Sequence, residues 1–372
     1  MSVLTFRSQH AICGKDSSLL CCIFVQERTV AVPSRGIVIV EVERLIVSSY
    51  KAEEGLLTGS VSDALAQQLT KKVRGEVRRH EQMASHTTFR VGGPADLFLL
   101  PLDEDDLSVM LTELDEARVP VRIIGNGSNL LVADAGVRGA IIRLTPNFST
   151  LRREGDVIIA GAGAKLARSV SFAAAEELSG LESTMGIPGT IGGAMVMNAG
   201  TDTGCISDLV ESASFMTHSG KRVEKLCEQL DYSYRCSALQ DGDLIVLSAR
   251  LKLTPGHRET ILAKMDRLEE KRTSRQPTRC HTAGSTFKNE EDIAAGKLID
   301  YAGCKGHRIG GAEVSEMHAN FIIAHPEATA SDIRNLANWM HRCVLEEFER
   351  DLLMEIEIIG DWSGWVQEIP TT

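Results

Sequence analysis

The sequence predicts an α+β protein of two or three domains, on three observations. Its 372 residues exceed what a single hydrophobic core ordinarily organises. From residue 61 onward, short β-prone apolar runs alternate with amphipathic helical segments. After Pro255 the character changes, first to a highly charged helix and then to a Gly- and basic-rich stretch over 279–311. A hydrophobic share of 43% against 24% charged excludes wholesale disorder. With 40 Lys and Arg against 51 Asp and Glu, the net charge is −11, a poor field for nucleic acid or an anionic membrane. A local basic patch still suits a small anionic ligand. No apolar run reaches the roughly 18 residues of a membrane span. The start, MSVLTFRSQH, lacks the basic and long apolar regions of a secretory signal. The 9 cysteines are scattered without a CxxC and read as reduced thiols of a cytoplasmic protein.

Residues 1–60 carry a β-prone stretch at 35–48 but no motif, and are read as an N-terminal extension. Val61 is the candidate for an initiating GUG codon, with Glu53-Glu54-Gly55 over a purine-rich ribosome-binding site. Residues 63–74 read as a helix through Leu65, Leu69 and Val73. A strand follows at 96–100, then a helix capped by Asp103 with Leu107, Met110, Leu111 and Leu114 on one face. Strands are expected at 121–125, 129–133, 139–144 and 156–161, and a helix over 164–178 closed by Gly180. A strand at 244–254 ends this region, and the charged helix spans 258–275. Past a strand at 320–324, Thr329 and Asp332 form a capping box for a helix that buries Ile333, Leu336, Ala337, Met340, Val344 and Phe348. A final strand is read over 353–360, with Glu355 and Glu357 on one face.

Two glycine-rich stretches dominate the middle: Gly125-Asn126-Gly127-Ser128-Asn129, directly after a strand, and Gly186-Ile187-Pro188-Gly189-Thr190 through Gly193 and Ala194 to Asn198 and Gly200. Glycine lets backbone N–H groups approach a diphosphate, and Ser or Asn side chains add hydrogen bonds. Neither stretch is a GxGxxG or a GxxxxGK[ST], so Rossmann and Walker sites are disfavoured. Each alone reads as a structural turn or a ligand loop; the two together favour a nucleotide-sized cofactor. Lys271, Arg272, Arg275, Arg279, Lys288, Lys297, Lys305 and Arg308 make a basic cluster, either a solvated face or a cleft for phosphates. No second ligand stands at metal spacing from His318.

Several ordered motifs resemble the UDP-N-acetylenolpyruvoylglucosamine reductase (UDP-N-acetylmuramate dehydrogenase) family. They are Thr88-Phe-Arg-Val-Gly-Gly-Pro-Ala95, the GNGSNLLV loop with Asp134 and Gly136, and Gly180-Leu-Glu182 with Gly186–Ala194 and Met197-Asn-Ala-Gly200. Further on stand Tyr234-Arg235-Cys-Ser237, Ala283-Gly-Ser-Thr-Phe-Lys-Asn289, Ala295–Ile299, Ala302–Gly306, Gly311–Ser315 and His318-Ala-Asn-Phe-Ile322. The likeness covers about residues 67 to 360. It implies an FAD-binding domain of the vanillyl-alcohol-oxidase type in two lobes over 61–254, and a smaller α+β substrate domain over 255–352. A C-terminal strand and tail complete the chain over 353–372.

The resemblance implies that NADPH reduces bound FAD and that UDP-N-acetylglucosamine enolpyruvate then takes the hydride at C3 and a proton at C2, completing a peptidoglycan precursor. It assigns proton donation to Ser285, which local sequence alone also reads as a serine in a glycine turn. It pairs Arg235 with Glu355, a glutamate that alternation alone reads as part of a solvated face. Gly125–Asn129, Gly186–Thr190, Gly193, Ala194, Asn198 and Gly200 are the expected cofactor contacts. Lys288 and Asn289 are expected to meet substrate phosphate and sugar, and Tyr234 substrate or flavin. His318 and Asn320 are expected to organise the cleft. Four departures from the family pattern stand out: Glu357 for a basic residue, Thr201-Asp-Thr-Gly204 for a stretch with an aromatic, Cys304 for an aliphatic and Ala324 for asparagine. The short gap between Gly200 and Tyr234 resembles the form lacking an extra tyrosine-bearing loop, and a monomer is expected. The alternatives are another flavoprotein of the same FAD fold, such as an oxidase of a small alcohol, and a nucleotide-sugar-binding protein without turnover.

Overall fold

The computed structural model describes residues 25–30, 39–44 and 61–366. The chain divides into two units, Met1–Leu57 and Thr58–Thr372. In the first, β1 (Val25–Val30) and β2 (Ile39–Arg44) pair antiparallel. The rest of the expected extension, with the codon-level reading of Glu53–Gly55, lies outside the described residues.

The second unit begins with α1 (Asp63–Lys72), where Ser62 accepts the Leu65 N–H and Leu69 is fully buried. β3 (Glu76–Gln82) and β4 (Pro94–Leu100) follow, then α2 (Glu104–Glu116), β5 (Val121–Ile124), β6 (Leu130–Val132) and β7 (Val137–Arg143). Asp103 caps α2 as expected, accepting the Asp106 N–H at 3.0 Å, and Leu107, Met110, Leu111 and Leu114 are buried. β3, β4, β7 and β5 form one mixed sheet in that order. β8 (Leu151–Glu154) and β9 (Val157–Gly161) start a second sheet, which β10 (Val210–Thr217), β11 (Arg222–Leu226) and β12 (Leu244–Lys252) complete in the order β11-β10-β12-β9-β8. Between them lie α3 (Leu166–Ala175) and the short α4 (Ile191–Val196).

Where α3 was expected to run to Leu178 and close on Gly180, it stops at Ala175. Glu177 turns left-handed (φ 57), and Leu178–Ser179 pairs antiparallel with Thr254–Pro255. Gly180 (φ 142) instead opens a 3₁₀ turn over Leu181–Thr184. The pull is tertiary: Leu178 reaches full burial through this pairing rather than through one more helical turn.

The C-terminal half holds α5 (Arg258–Thr273), α6 (Ala295–Tyr301), β13 (Ala312–Val314), β14 (Ile322–Ala324), α7 (Ala330–Phe348) and β15 (Glu357–Ile359). The apolar core divides between two main bodies. One gathers residues 61–265 and includes Ile261 and Met265 of α5; the other gathers 283–356 and takes in Phe89, Val91 and Leu131. By packing, α5 therefore sides with the N-terminal body. Cys304 is fully buried in the second body, and burial pushes its thiol up to about 12, so it serves as a small hydrophobe.

β15 joins the structure as a parallel partner of β6, with Glu357 opposite Leu130. This pairing carries the chain terminus back to the first glycine-rich loop. The expected strand over 353–360 is shorter: the chain bends at Ile356, and only Glu357–Ile359 sits in the ladder. Glu355 and Glu357 consequently answer to different partners.

Asp134, just past β6, fixes α7 against this junction by accepting the Ala330 N–H at 2.8 Å, the Ser331 N–H at 2.9 Å and the Ser331 hydroxyl at 2.7 Å. Thr329 and Asp332 form the expected capping box beside it. Asp134→Ala strips these acceptors from the helix start and is expected to lower stability by about 1–2 kcal/mol. A urea melt reads the loss; an unchanged midpoint would contradict the capping role.

Candidate active site

The two glycine-rich loops lie against each other. Asn126 donates from Nδ2 to the Pro188 carbonyl at 2.8 Å, and a Cβ on Gly125 would meet Thr190 Oγ1 at 2.3 Å. Gly127 (φ +61) passes so close to the preceding chain that a Cβ would lie 2.0 Å from the His86 carbonyl. The backbone N–H groups of Asn126, Gly127, Ser128, Asn129, Gly189 and Thr190 donate to nothing among the described residues. Six such donors on two touching loops make a cradle for a polyanion. Gly193 and Ala194 lie in α4 behind it, with Ala194 packed in the core.

A further cation attends these loops. Arg272 of α5 packs its side chain on Gly186, where a Cβ would meet Cδ at 2.6 Å. Burial pushes its guanidinium below its ordinary value, and no carboxylate answers it among the described residues. In the sequence Arg272 was one of several basic residues. Nothing in a charged helix marks one arginine as partly desolvated; the seat on Gly186 exists only in the fold. Its neighbour Lys271 ion-pairs with Asp202, in the stretch that departs from the family's aromatic.

The second group of expected residues converges at the other end. Ser233 and Cys236 bond each other's backbones at 3.1 and 3.2 Å, leaving Tyr234 and Arg235 at the tip of a tight turn. Arg235 there has φ 52, a strained conformation for a side chain of its size. Its guanidinium donates from Nε to Glu355 Oε1 at 2.6 Å, from Nη2 to the Gly200 carbonyl at 2.9 Å and from Nη1 to the Asn198 carbonyl at 3.4 Å. Asn198 and Gly200 thus meet Arg235 rather than the cradle. Tyr234 is half exposed, with the Arg235 guanidinium 5.2 Å from its ring centroid.

Ser285, Lys288, Asn289 and Glu355 reach the same place. The segment 285–287 runs between two neighbours: Thr286 donates to the Asn320 carbonyl at 2.8 Å, and the Glu355 N–H donates to the Thr286 carbonyl at 2.8 Å. Ser285 is half-buried, and its hydroxyl has no partner among the described residues. Lys288 donates from Nζ to the Arg235 carbonyl at 3.4 Å, and the Asn289 N–H lies 3.4 Å from the Tyr234 hydroxyl. Asn289 also accepts the Ala295 N–H, placing it at the start of α6. His318 accepts the Asn320 N–H on Nδ1 at 3.3 Å, and burial holds its ring below the usual imidazole range.

Glu355 is 14% exposed. Burial raises its carboxyl above the ordinary value, and the charges of Arg235 and Lys288 hold the rise back. The cradle and this constellation are joined through Asn129, which donates from Nδ2 to the Glu355 carbonyl at 2.9 Å and accepts the Glu357 N–H at 2.8 Å. Its side chain thus faces the Glu355 segment as well as the loop. Glu357 ion-pairs with Arg122 of β5, so its unusual charge is answered there and not beside Glu355.

Residues 276–359 match the family model described as UDP-N-acetylenolpyruvoylglucosamine reductase, C-terminal domain, and residues 95–225 match that of an FAD binding domain. UDP-N-acetylenolpyruvoylglucosamine reductase from Caldanaerobacter subterraneus subsp. tengcongensis is 41% identical over 290 residues, spanning 77% of this chain and 95% of that protein. The reductase of the same description from Rhodopseudomonas palustris (strain HaA2) is 45% identical over 293 residues, or 78% and 94%. The crystal structure of UDP-N-acetylenolpyruvylglucosamine reductase from Thermus caldophilus is similar at a TM-score of 0.67 and 39% identity, covering 77% of this chain and 98% of that one.

Proposed function

The chain belongs to the UDP-N-acetylenolpyruvoylglucosamine reductase family, and from that premise we propose that Ser285, Arg235 and Glu355 carry the chemistry of its reaction on substrate. It is an FAD-dependent oxidoreductase that reduces UDP-N-acetylglucosamine enolpyruvate to UDP-N-acetylmuramate with NADPH, in peptidoglycan precursor synthesis. The observation that carries the residue assignment is the convergence of a partnerless serine hydroxyl with an Arg–Glu pair at 2.6 Å.

The touching glycine loops fit FAD. Their unbonded N–H groups at 126–129, 189 and 190 would hold its diphosphate, and Arg272 would neutralise an anionic group of the cofactor from the side of Gly186. When bound there, FAD would supply the hydride chemistry that links NADPH to the substrate. The protein's share is electrostatic and protonic. Arg235, permanently charged and locked by two carbonyls and Glu355, orients the substrate carboxylate and stabilises the negative charge that develops toward it. Glu355 fixes that guanidinium, while Ser285 delivers the proton to C2. Lys288, with Asn289 and Tyr234 at the same rim, meets the phosphates and sugar of the UDP moiety.

The same reading takes the enzyme as a cytoplasmic monomer. Six unpaired cysteines among the described residues accord with a reducing compartment, and light scattering after size exclusion reads the mass in solution. The test of the function is an anaerobic absorbance trace of the flavin-loaded protein. Added NADPH is expected to bleach the flavin, and UDP-N-acetylglucosamine enolpyruvate to restore the oxidised spectrum rapidly. Bleaching without return on authentic substrate would keep the flavoenzyme and overturn the assignment of this substrate.

A further inference from the structure

We propose that Asn320 is a positioning residue for the proton transfer, its side-chain amide holding the Ser285 segment at reacting distance from substrate. The inference rests on Ser285 being the proton donor. Asn320 is 1% exposed. Its Oδ1 accepts the Phe287 N–H at 3.0 Å and its Nδ2 donates to the Phe287 carbonyl at 2.8 Å, while its own carbonyl accepts the Thr286 N–H at 2.8 Å. The side-chain amide thereby does for Phe287 what the peptide group of a neighbouring strand would do, with donor and acceptor in one plane. On the opposite side the Thr286 carbonyl accepts from Glu355. The three-residue segment is gripped from both sides just beyond Ser285.

The grip matters because Gly284, at φ +84, gives the chain before Ser285 no stiffness of its own, and a Cβ there would meet nothing within 4 Å. A serine hydroxyl is a weak acid, so its usefulness depends on being placed within hydrogen-bond reach of the carbon it protonates. A misplacement of about 1 Å costs up to about 100-fold in such a step. The side-chain hydrogen bonds of Asn320 go to Phe287 and not to the glycine cradle or the Arg235 turn, so its loss is expected to act on the second half-reaction alone.

Asn320→Asp keeps the side chain's size and replaces the N–H donor by an acceptor facing the Phe287 carbonyl. Stopped-flow on the flavin-loaded enzyme is expected to show flavin reduction by NADPH within about twofold of the parent. Reoxidation by substrate should slow by about 10- to 100-fold, in kcat rather than KM, with the flavin spectrum unchanged. Asn320→Ser, which leaves room for a water on Phe287, serves if the aspartate variant does not fold. The decisive comparison repeats each change in a Ser285→Ala background, where the further slowing is expected to fall below about twofold. Slowing that multiplies with Ser285→Ala, or that affects both half-reactions alike, would overturn the positioning role. Ser285→Ala alone reoxidising at the parent rate would instead remove the donor assignment, and the inference with it.

Discussion

Replacing Ser285 by alanine is expected to leave flavin reduction by NADPH within about twofold of the parent and to slow reoxidation by substrate by about 10²- to 10⁴-fold, the usual share of a positioned general acid. The asymmetry follows from where the serine stands. It belongs to the segment clamped between Asn320 and Glu355, away from the loops whose N–H groups form the cradle. Its hydroxyl makes no competing hydrogen bond among the described residues. Removing it takes away the proposed proton source and little else, so flavin absorbance and melting temperature should both hold. Two rapid-mixing experiments on one preparation measure the two halves. Equal slowing of both would show that the substitution disturbs the cofactor and would discard Ser285 as donor.

Arg235→Met is expected to act on stability and catalysis together. It strands Glu355, a carboxylate 14% exposed, without its cation. Breaking such a pair from one side costs about 3–5 kcal/mol where both groups are buried; with Arg235 itself 21% exposed, the lower end is expected. The pH dependence has a definite sign. Burial already raises the Glu355 carboxyl above its ordinary value, and losing Arg235 removes a lowering influence, so the folded state holds the proton to higher pH. A carboxyl raised in the folded state destabilises it fully above the folded pKa and not at all below the unfolded one. Thermal melts should therefore show the deficit of Arg235→Met shrinking as pH falls toward about 4.5. A deficit independent of pH would mean that Glu355 is not the group left unpaired. Losing the guanidinium proposed to meet the substrate carboxylate should lower kcat/KM by roughly two to three orders of magnitude. Arg235→Lys should recover little, because Glu355, Gly200 and Asn198 are met by three different nitrogens of a planar fork, and a single ammonium nitrogen does not reproduce that spread.

Local pattern was a good guide wherever one face of an element meets one core. The α2 helix shows this, with its Asp103 cap and four buried apolar residues at helical spacing, as does α7 with its Thr329–Asp332 box. It was a poorer guide at the chain's crossings. β3, EVRRHEQ, is too polar to read as a strand, and it is one because β4 supplies the ladder. The end of α3 depended on Thr254 and Pro255, almost eighty residues away. Alternation along 353–360 placed Glu355 and Glu357 on a common face, but a bend at Ile356 sends one to Arg235 and the other to Arg122.

From its sequence alone the chain declares its family, because the ordered motifs that carry the resemblance are local arrangements of residues. The same holds for its α+β class, since hydrophobic periodicity is set within each element. Only the tertiary structure decides which charges are desolvated and which backbone groups remain unpaired. Arg272 becomes a half-buried cation because α5 packs on Gly186, and Glu355 a raised carboxyl because the terminal strand lies beside β6. Asn129 and Asn320 become clamps because their amides meet peptides from distant segments. Desolvation and hydrogen-bond partnership depend on what surrounds a group in space, and neighbours in sequence do not carry that information.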